Sequence, residues 1–313
     1  MLKKSSMNKN LLLFIGVLLI TLSGKGQVFN YADGEGPVSP DSIKGLYVAL
    51  NLGYYFANNN SAVIYGGYGY QRDGTINDFA NSWLNQSIQG NPEFRRQTSD
   101  ALGLADGEWA FTQDDMPGVM QFSGSFMYGV HLRYMFNADF GVYAELSGTN
   151  PVTVGEFTIQ TFGASPDPTQ NNPLRRFGIR GEEQRLMVNI GLHRVLLREQ
   201  FERQGRSTTI LPYIDIGLNA TFTKFEENFY SLDDGVVRDL TIFFNQQNQF
   251  VDQANLLTGA GFGGFVGVGG QISLGSKFIL NVGYNASFEQ IQLGDVNERG
   301  LQSQIVLKAI YMF

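Results

Sequence analysis

The chain has 313 residues, no cysteine and a formal net charge of −7. The lack of cysteine excludes disulfides and a cysteine-linked lipid anchor, and the acidic balance argues against nucleic acid as a partner. Glycine is abundant at 38 residues and proline scarce at 9, which suits curved sheet better than disorder.

Residues 1–26 have the pattern of a secretory signal peptide. Basic residues precede an apolar run from Leu11 to Leu22, and this run is shorter than the roughly 20 residues that span a bilayer. We expect cleavage before Gln27, because Gly24 and Gly26 are small residues at suitable offsets. An uncleaved anchor is the alternative. Residues 27–44 are then a short periplasmic segment.

From Gly45 onwards, eight segments alternate apolar and polar residues with the period of a β-strand. The last, Leu301–Phe313, is the clearest, because every second residue counted back from Phe313 is apolar or aromatic. Each segment has one face suited to lipid and one suited to a polar interior. The predicted strands are 45–56, 122–136, 140–148, 185–196, 210–222, 260–274, 278–289 and 301–313.

The predicted fold class is all-β, an eight-stranded antiparallel transmembrane β-barrel over residues 45–313. Connections between the segments are alternately short and long, as expected for short periplasmic turns and long outer loops. Both termini then face the periplasm. The predicted outer loops are at about 57–121, 149–184, 225–257 and 290–300.

This strand pattern resembles the small eight-stranded outer-membrane β-barrels, specifically the outer-membrane protein β-barrel family common in Bacteroidota. It is similar in architecture to the transmembrane part of outer-membrane protein A. The resemblance implies residence in the outer membrane, contact with its lipid and lipopolysaccharide, and folding by the outer-membrane assembly machinery. Tyr311 and Phe313 resemble the aromatic C-terminal signal which that machinery recognises. No chemistry is implied.

Ionisable side chains of both signs fall on the inward faces of the predicted strands. An eight-stranded barrel is only wide enough for its own side chains, so buried polar groups need partners there. A three-residue turn between Phe136 and Phe140 places His131 opposite Glu145. The predicted polar network comprises His131, Arg133, Glu145, Arg185, His193, Asp215, Glu289 and Lys308.

A histidine beside a carboxylate is also part of many catalytic sites, and Ser125 shares the inward face of His131. Barrel hydrolases that attack lipids present their nucleophile to the membrane, whereas both histidines here point inward, so we interpret the pairs as structural. We predict no catalytic residue, cofactor or metal site. The acidic residues of the first loop lack the spacing of a calcium loop: Asp106, Glu108, Asp114 and Asp115.

Four inward glycines follow one another on the sixth strand: Gly261, Gly263, Gly267 and Gly269. They leave that wall without side chains. We interpret the space as room for bulky neighbours such as Tyr47, Tyr213 and Phe265, or as a source of strong curvature. A ligand groove is the alternative.

The outer loops have features of their own. The first is predicted to be helical over Asn77–Ile88, with a second helix from Pro92 to about Gly103. The second carries Arg175, Arg176 and Arg180, either as lipopolysaccharide phosphate ligands or as a solvated turn. The third is aromatic, and its residues either cap the barrel or dock a partner: Phe229, Tyr230, Phe243, Phe244 and Phe250.

The sequence therefore predicts a non-enzymatic outer-membrane barrel that presents structured extracellular loops, with a structural or protein-docking role. One alternative is an accessory subunit of a larger secretion, export or assembly complex. Another is a lipid-modifying hydrolase or acyltransferase. A porin is disfavoured, because eight strands leave no open lumen.

We expect N-terminal sequencing of the protein from isolated outer membranes to begin at Gln27. Finding Met1 or Met7 in the mature protein would contradict the signal peptide. Deletion of Phe313 should reduce the yield of folded barrel, because the last strand loses its aromatic boundary residue. Densitometry of the heat-sensitive band on gels measures that yield, and an undiminished band would count against the assembly signal.

Overall fold

The structure, a computed structural model, describes residues 44–69, 75–162, 174–197, 210–240, 242–244, 250–252, 258–274, 277–293 and 296–312. The proposed signal peptide, most of the segment after it, and Phe313 lie outside these ranges. Within them, no helix is long and apolar enough to cross a membrane. Most of the described chain is antiparallel β-sheet, which confirms the all-β prediction.

The described residues form fourteen strands, twelve in one sheet and two in a separate ribbon. Eight of them overlap the eight predicted segments, and the others lie in predicted loops. The strands are β1 Gly45–Phe56, β2 Trp109–Ala110, β3 Gln121–Phe122, β4 Ser125–Met135, β5 Phe140–Thr149, β6 Val152–Thr161, β7 Leu174–Val195, β8 Ile210–Ser231, β9 Val237–Asp239, β10 Ile242–Phe244, β11 Phe250–Asp252, β12 Thr258–Ser273, β13 Phe278–Leu293 and β14 Val296–Met312.

Eight strands pair antiparallel with a neighbour on each side, in the order β1–β4–β5–β7–β8–β12–β13–β14. Strand β14 pairs in turn with β1, with Tyr47 opposite Met312. The path of hydrogen bonds thus returns to its first strand. We call these eight strands the ring, its end near Lys44 and Met312 the basal rim, and the opposite end the cap end.

The two faces of the ring strands differ sharply. Outward side chains are large, apolar and exposed, for example Ile190 at 63 %, Phe262 at 67 % and Leu218 at 72 %. Inward side chains are mostly polar and buried. A continuous apolar band of this kind is unfavourable against water.

The strands extend into segments that the sequence predicts as outer loops. Strands β7 and β8 have 22 residues each, and β6 pairs with the first part of β7. Residues 290–300 are a tight hairpin, since β13 ends at Leu293 and β14 begins at Val296. Above the apolar band, outward positions of β7 carry Arg176 and Arg180. The lipid-type alternation therefore stops before the strand does.

Two helices lie in the first predicted loop: α1, Trp83–Gln89, and α2, Pro92–Leu102. Helix α1 begins later than the expected Asn77, because the Ser82 side chain caps it by accepting a hydrogen bond from the backbone N–H of Asn85 at 3.3 Å. Helix α2 agrees with the prediction. It ends at Gly103, whose φ of 65° is left-handed.

Residues 57–122 pack with the cap-end parts of β6–β9 and of β13 to form a second core, which we call the cap. Its centre includes Trp83, Leu84 and Leu293, all nearly inaccessible. Tyr65 stacks on Phe225 with 4.9 Å between ring centroids. A 3-10 turn that ends at Tyr65 contacts β7, β13 and β14, so the cap covers this end of the ring.

Replacing the fully buried Leu84 by alanine should destabilise the cap by about 2–5 kcal/mol, because it leaves a cavity between α1 and the sheet. We expect faster proteolysis within residues 57–122, while the heat-induced gel shift of the ring stays unchanged. Val63→Ala is the matched control, since Val63 lies in the same cap but is 48 % exposed and its truncation should have little effect. Equal protease resistance of Leu84→Ala and wild type would contradict the packing.

Candidate functional site

Both predicted histidine–carboxylate pairs are present in the ring interior. His131 lies opposite Glu145 in the β4–β5 register, with Nδ1 3.0 Å from Oε2. His193 lies opposite Asp215 across β7 and β8, with Nδ1 2.6 Å from Oδ1. All four residues are nearly inaccessible.

Arg133 joins the two pairs. Its Nε donates to His131 Nε2 at 3.3 Å, and its Nη1 lies 3.2 Å from His193 Nε2. A guanidinium has no acceptor atom, so both Nε2 atoms must accept and each histidine carries its proton on Nδ1. The result is one hydrogen-bonded chain from Glu145 to Asp215 across the interior.

Lys308 of β14 completes this basal group. Its Nζ lies 2.7 Å from Glu145 Oε2 and 5.2 Å from the centre of the Tyr143 ring. Two cations, Arg133 and Lys308, thus face two carboxylates, Glu145 and Asp215. Removing one partner of such a buried pair is far more costly than its net contribution to stability suggests.

Arg185 and Glu289 lie in a separate group nearer the cap. Arg185 pairs with Glu183 and donates through Nη1 to the Tyr55 hydroxyl at 2.8 Å. That hydroxyl donates to Glu289 Oε1 at 3.3 Å. Arg185 Nη2 also donates to Ser61 Oγ at 3.2 Å, which ties the ring interior to the cap.

The sequence interpretation missed Glu183 and Tyr55 as members of this group. Glu183 shares the inward face of β7 with Arg185, two residues away, but it lies just outside the predicted strand. Tyr55 was placed on the inward face without a partner. Extending the alternation of β7 towards the cap would have identified Glu183.

Apolar layers separate the polar groups. Tyr47, Ala49, Met135 and Ile310 form one cluster near the basal rim. Met127, Met187 and Val306 pack with Tyr55 in another, between the basal group and the Arg185 group. Ions would have to lose their hydration to cross such layers, so the interior has the character of a packed core.

Two of the four inward glycines of β12 provide room for side chains, as the sequence indicated. A Cβ at Gly269 would lie 2.5 Å from the Tyr213 hydroxyl, and one at Gly267 would lie 3.2 Å from the Asp215 Cβ. At Gly261 and Gly263 a Cβ would meet backbone carbonyls of β13, which indicates close strand approach. The described structure therefore fills the space that a ligand groove would need.

The aromatic residues of the third predicted loop lie in different surroundings. Tyr230 is 1 % exposed, and its ring centroid lies 5.7 Å from that of Phe157 in the cap core. Burial raises the pKa of its phenol to about 12, and the hydroxyl forms a 2.8 Å hydrogen bond with Ser87 Oγ. Tyr230 is therefore a cap residue that no partner can reach, a correction to its assignment as a docking residue.

Phe229 and the ribbon aromatics differ from Tyr230. Phe229 is half-buried beneath the Arg180 guanidinium, which lies 5.5 Å from its ring centre. In the β10–β11 ribbon, Phe243 pairs with Val251 and Phe244 with Phe250.

The arginines of the second predicted loop have partners within the protein. Arg175 Nη1 donates to Leu102 O at 2.9 Å and lies 3.1 Å from Asp233. Arg176 and Arg180 lie 3.9 Å and 3.6 Å from Glu156 and Glu182. These last two pairs are long and exposed, so they contribute little.

The acidic residues of the first loop are engaged in local contacts. Asp106 pairs with Arg95 at 2.5 Å, and Glu108 accepts from the Ala105 N–H at 2.8 Å. Asp115 closes a capping box with Thr112. In the described part of the chain, no group of three or more His, Cys, Asp or Glu residues is arranged to hold a metal.

Ser125 is placed far from His131. Its Oγ is hydrogen-bonded to Thr149 Oγ1 at 2.7 Å, and six residues of extended strand, about 20 Å, separate it from His131. Both histidine Nε2 atoms already accept from Arg133. The structure therefore does not bring together a nucleophile and a free histidine base.

No protein-family model matches the chain, and neither does any curated protein. Among solved structures it is similar to the attachment invasion locus protein Ail of Yersinia pestis, with 14% identity and a TM-score of 0.32 over 86% of this chain and 99% of that chain. It is also similar to the outer membrane protein OprG of Pseudomonas aeruginosa, with 9% identity and a TM-score of 0.32 over 86% and 93%. For Neisserial surface protein A the identity is 8% and the TM-score 0.35, over 86% and 97%. Similarities at this level do not bear on function.

Replacing Glu145 by glutamine should lower the free energy of unfolding by about 3 kcal/mol, because Lys308 then remains buried without a counter-charge. The temperature of the heat-induced gel shift measures this loss. Glu156→Gln is the control: Glu156 is exposed and 3.9 Å from Arg176, so we expect a change below about 1 kcal/mol. An unchanged shift temperature for Glu145→Gln would contradict the network.

Proposed function

We propose that the chain is a non-enzymatic integral outer-membrane protein. In this proposal the ring is a closed eight-stranded transmembrane barrel with both termini towards the periplasm, and the cap is its extracellular surface, with a structural or protein-docking role. The observation that carries the proposal is the outward apolar band around a polar, internally paired interior, a combination that suits lipid outside and no solvent inside.

The dimensions of the band support membrane insertion. On β8 it runs from Ile210 to Phe222, which corresponds to about 30 Å for strands tilted by about 40°. Exposed aromatics lie at both of its edges, as in the interfacial girdles of membrane barrels. At the basal rim they are Tyr134, Phe136 and Phe140, and at the cap end Tyr54, Phe56, Phe126, Phe222 and Phe288.

Transport through the interior is disfavoured by its packing. The layer of Met127, Met187 and Val306 crosses the interior, and the 3-10 turn Ser61–Tyr65 packs over the cap end. A solute would have to displace both, and the charged groups between them are already paired with one another.

Lipid-modifying chemistry is the less favoured alternative, because Arg133 occupies both histidine Nε2 atoms. Deleting the protein from its host should leave the lipid A mass spectrum unchanged, since no described residue is arranged to attack a lipid ester. A new or missing acyl chain in the deletion strain would instead support the hydrolase or acyltransferase alternative.

The cap supports a docking role on one face. A shallow groove of about 620 Å³ crosses the outer face of β6–β9. Around it, Val119, Val154 and Val237 are 65%, 49% and 62% exposed. Exposed apolar groups on a rigid support are typical of protein contact surfaces. This face also favours the alternative of an accessory subunit in a larger export or assembly complex.

Replacing Phe243, Phe244 and Phe250 together by serine tests the docking role of the ribbon. If the ribbon docks a partner, the purified variant should keep its heat-shift temperature and lose a protein that co-purifies with wild type after mild detergent extraction. If the ribbon caps the barrel, the shift temperature should fall instead. Phe162→Ser, which removes an aromatic side chain 64% exposed elsewhere on the cap, is the control. A triple variant that changes neither property would contradict both roles.

A further inference from the structure

Three cations at the basal rim have no carboxylate partner among the described residues. Lys44 immediately precedes β1, Arg194 lies on the outward face of β7, and Lys277 immediately precedes β13. All three are exposed. Their charges are therefore directed towards the surroundings of the ring.

Cations outside the ring interior at the cap end behave differently. Lys224 lies 2.8 Å from Glu226, and Arg96 lies 2.8 Å from Glu93. Carboxylates also lie within 4.0 Å of Arg95, Arg175, Arg176, Arg180 and Arg238. Among the described cations of this end only Arg299 lacks such a pair. The contrast between the two ends is thus a property of the basal rim and not of the exposed surface in general.

The unpaired cations lie at the level of the basal aromatic girdle. Arg194 is opposite Phe140 in the β5–β7 register. Lys277 precedes Phe278, which is opposite Tyr311. Lys44 is next to Gly45, whose partner is Met135. In a bilayer this is the depth of the headgroups, where long basic side chains extend their charges while their stems remain in apolar surroundings.

The three positions are spread around the ring. Two strands, β4 and β5, separate β1 from β7, and two more, β8 and β12, separate β7 from β13. One small ligand cannot contact all three. A layer of phosphate groups that surrounds the protein can, and it is attracted by each cation separately.

We infer that the basal rim binds the phosphates of the glycerophospholipids around it and selects anionic over zwitterionic headgroups. This inference rests on the proposed membrane insertion, and it assigns the contact to the leaflet on the side of the termini. The paired cations at the cap end do not contribute to this selection. Charge, rather than the shape of any one side chain, carries the preference.

The test uses the mature full-length protein in vesicles of phosphatidylcholine with a minority of phosphatidylglycerol. After mild detergent extraction, mass spectrometry counts the lipids retained on the protein. We expect wild type to retain phosphatidylglycerol several-fold above its share of the vesicle. The variant K44Q/R194Q/K277Q should return to the bulk ratio. The charge-conserving variant K44R/R194K/K277R and the cap-end control R176Q/R180Q/K224Q should both keep the enrichment.

The heat-induced gel shift reports insertion in every sample and separates the two possible failures. Inserted wild type without enrichment, or an inserted triple glutamine variant that keeps it, overturns the lipid selection and leaves the barrel proposal intact. Wild type that does not insert in vesicles of either composition overturns both. Should the triple variant fail to insert, the single variants decide: partial loss of enrichment in each supports the inference, and full retention in all three overturns it.

Discussion

A ring of eight strands encloses too little space for solvent, so every inward ionised group must find its partner within the ring. Arg133 illustrates the consequence. It lies between two histidines and donates to both, and each histidine then faces a carboxylate. Because the guanidinium can only donate, this single residue sets the protonation pattern of the whole basal group. Lys308 provides the second positive charge that the two carboxylates require.

The same lack of space governs the uncharged interior. Tyr213 lies over Gly269, and the ring of Phe265 occupies the position where a Cβ at Gly217 would be. Large and small residues on neighbouring strands thus complement one another. Near the cap end, Arg185 reaches both Glu183 and Ser61, so the closure of the ring by the cap depends on an interior charge. Ring and cap are joined by a polar contact as well as by the cap core.

Much of the ring was predictable from the sequence, and parts of the cap were not. The turn between Phe136 and Phe140 was enough to place His131 opposite Glu145, because antiparallel register follows from turn length. Helix α2 was predicted because its proline start and glycine end are local signals. The extensions of β7 and β8 were missed, since their outward faces meet water and carry charges. Tyr230 was assigned to docking because alternation alone cannot show which face of a strand a neighbouring loop will cover.

By itself the sequence determined the strand segments of the ring and the face on which each of their side chains lies. This was possible because alternation is a local property that a membrane environment requires of every strand. Only the tertiary structure decided which inward charges meet, that β6 and the ends of β7 and β8 become a wall of the cap, and that Tyr230 is buried. These outcomes depend on strand pairing and on packing between distant segments, such as Lys308 with Glu145 or Arg185 with Ser61, which no local pattern records.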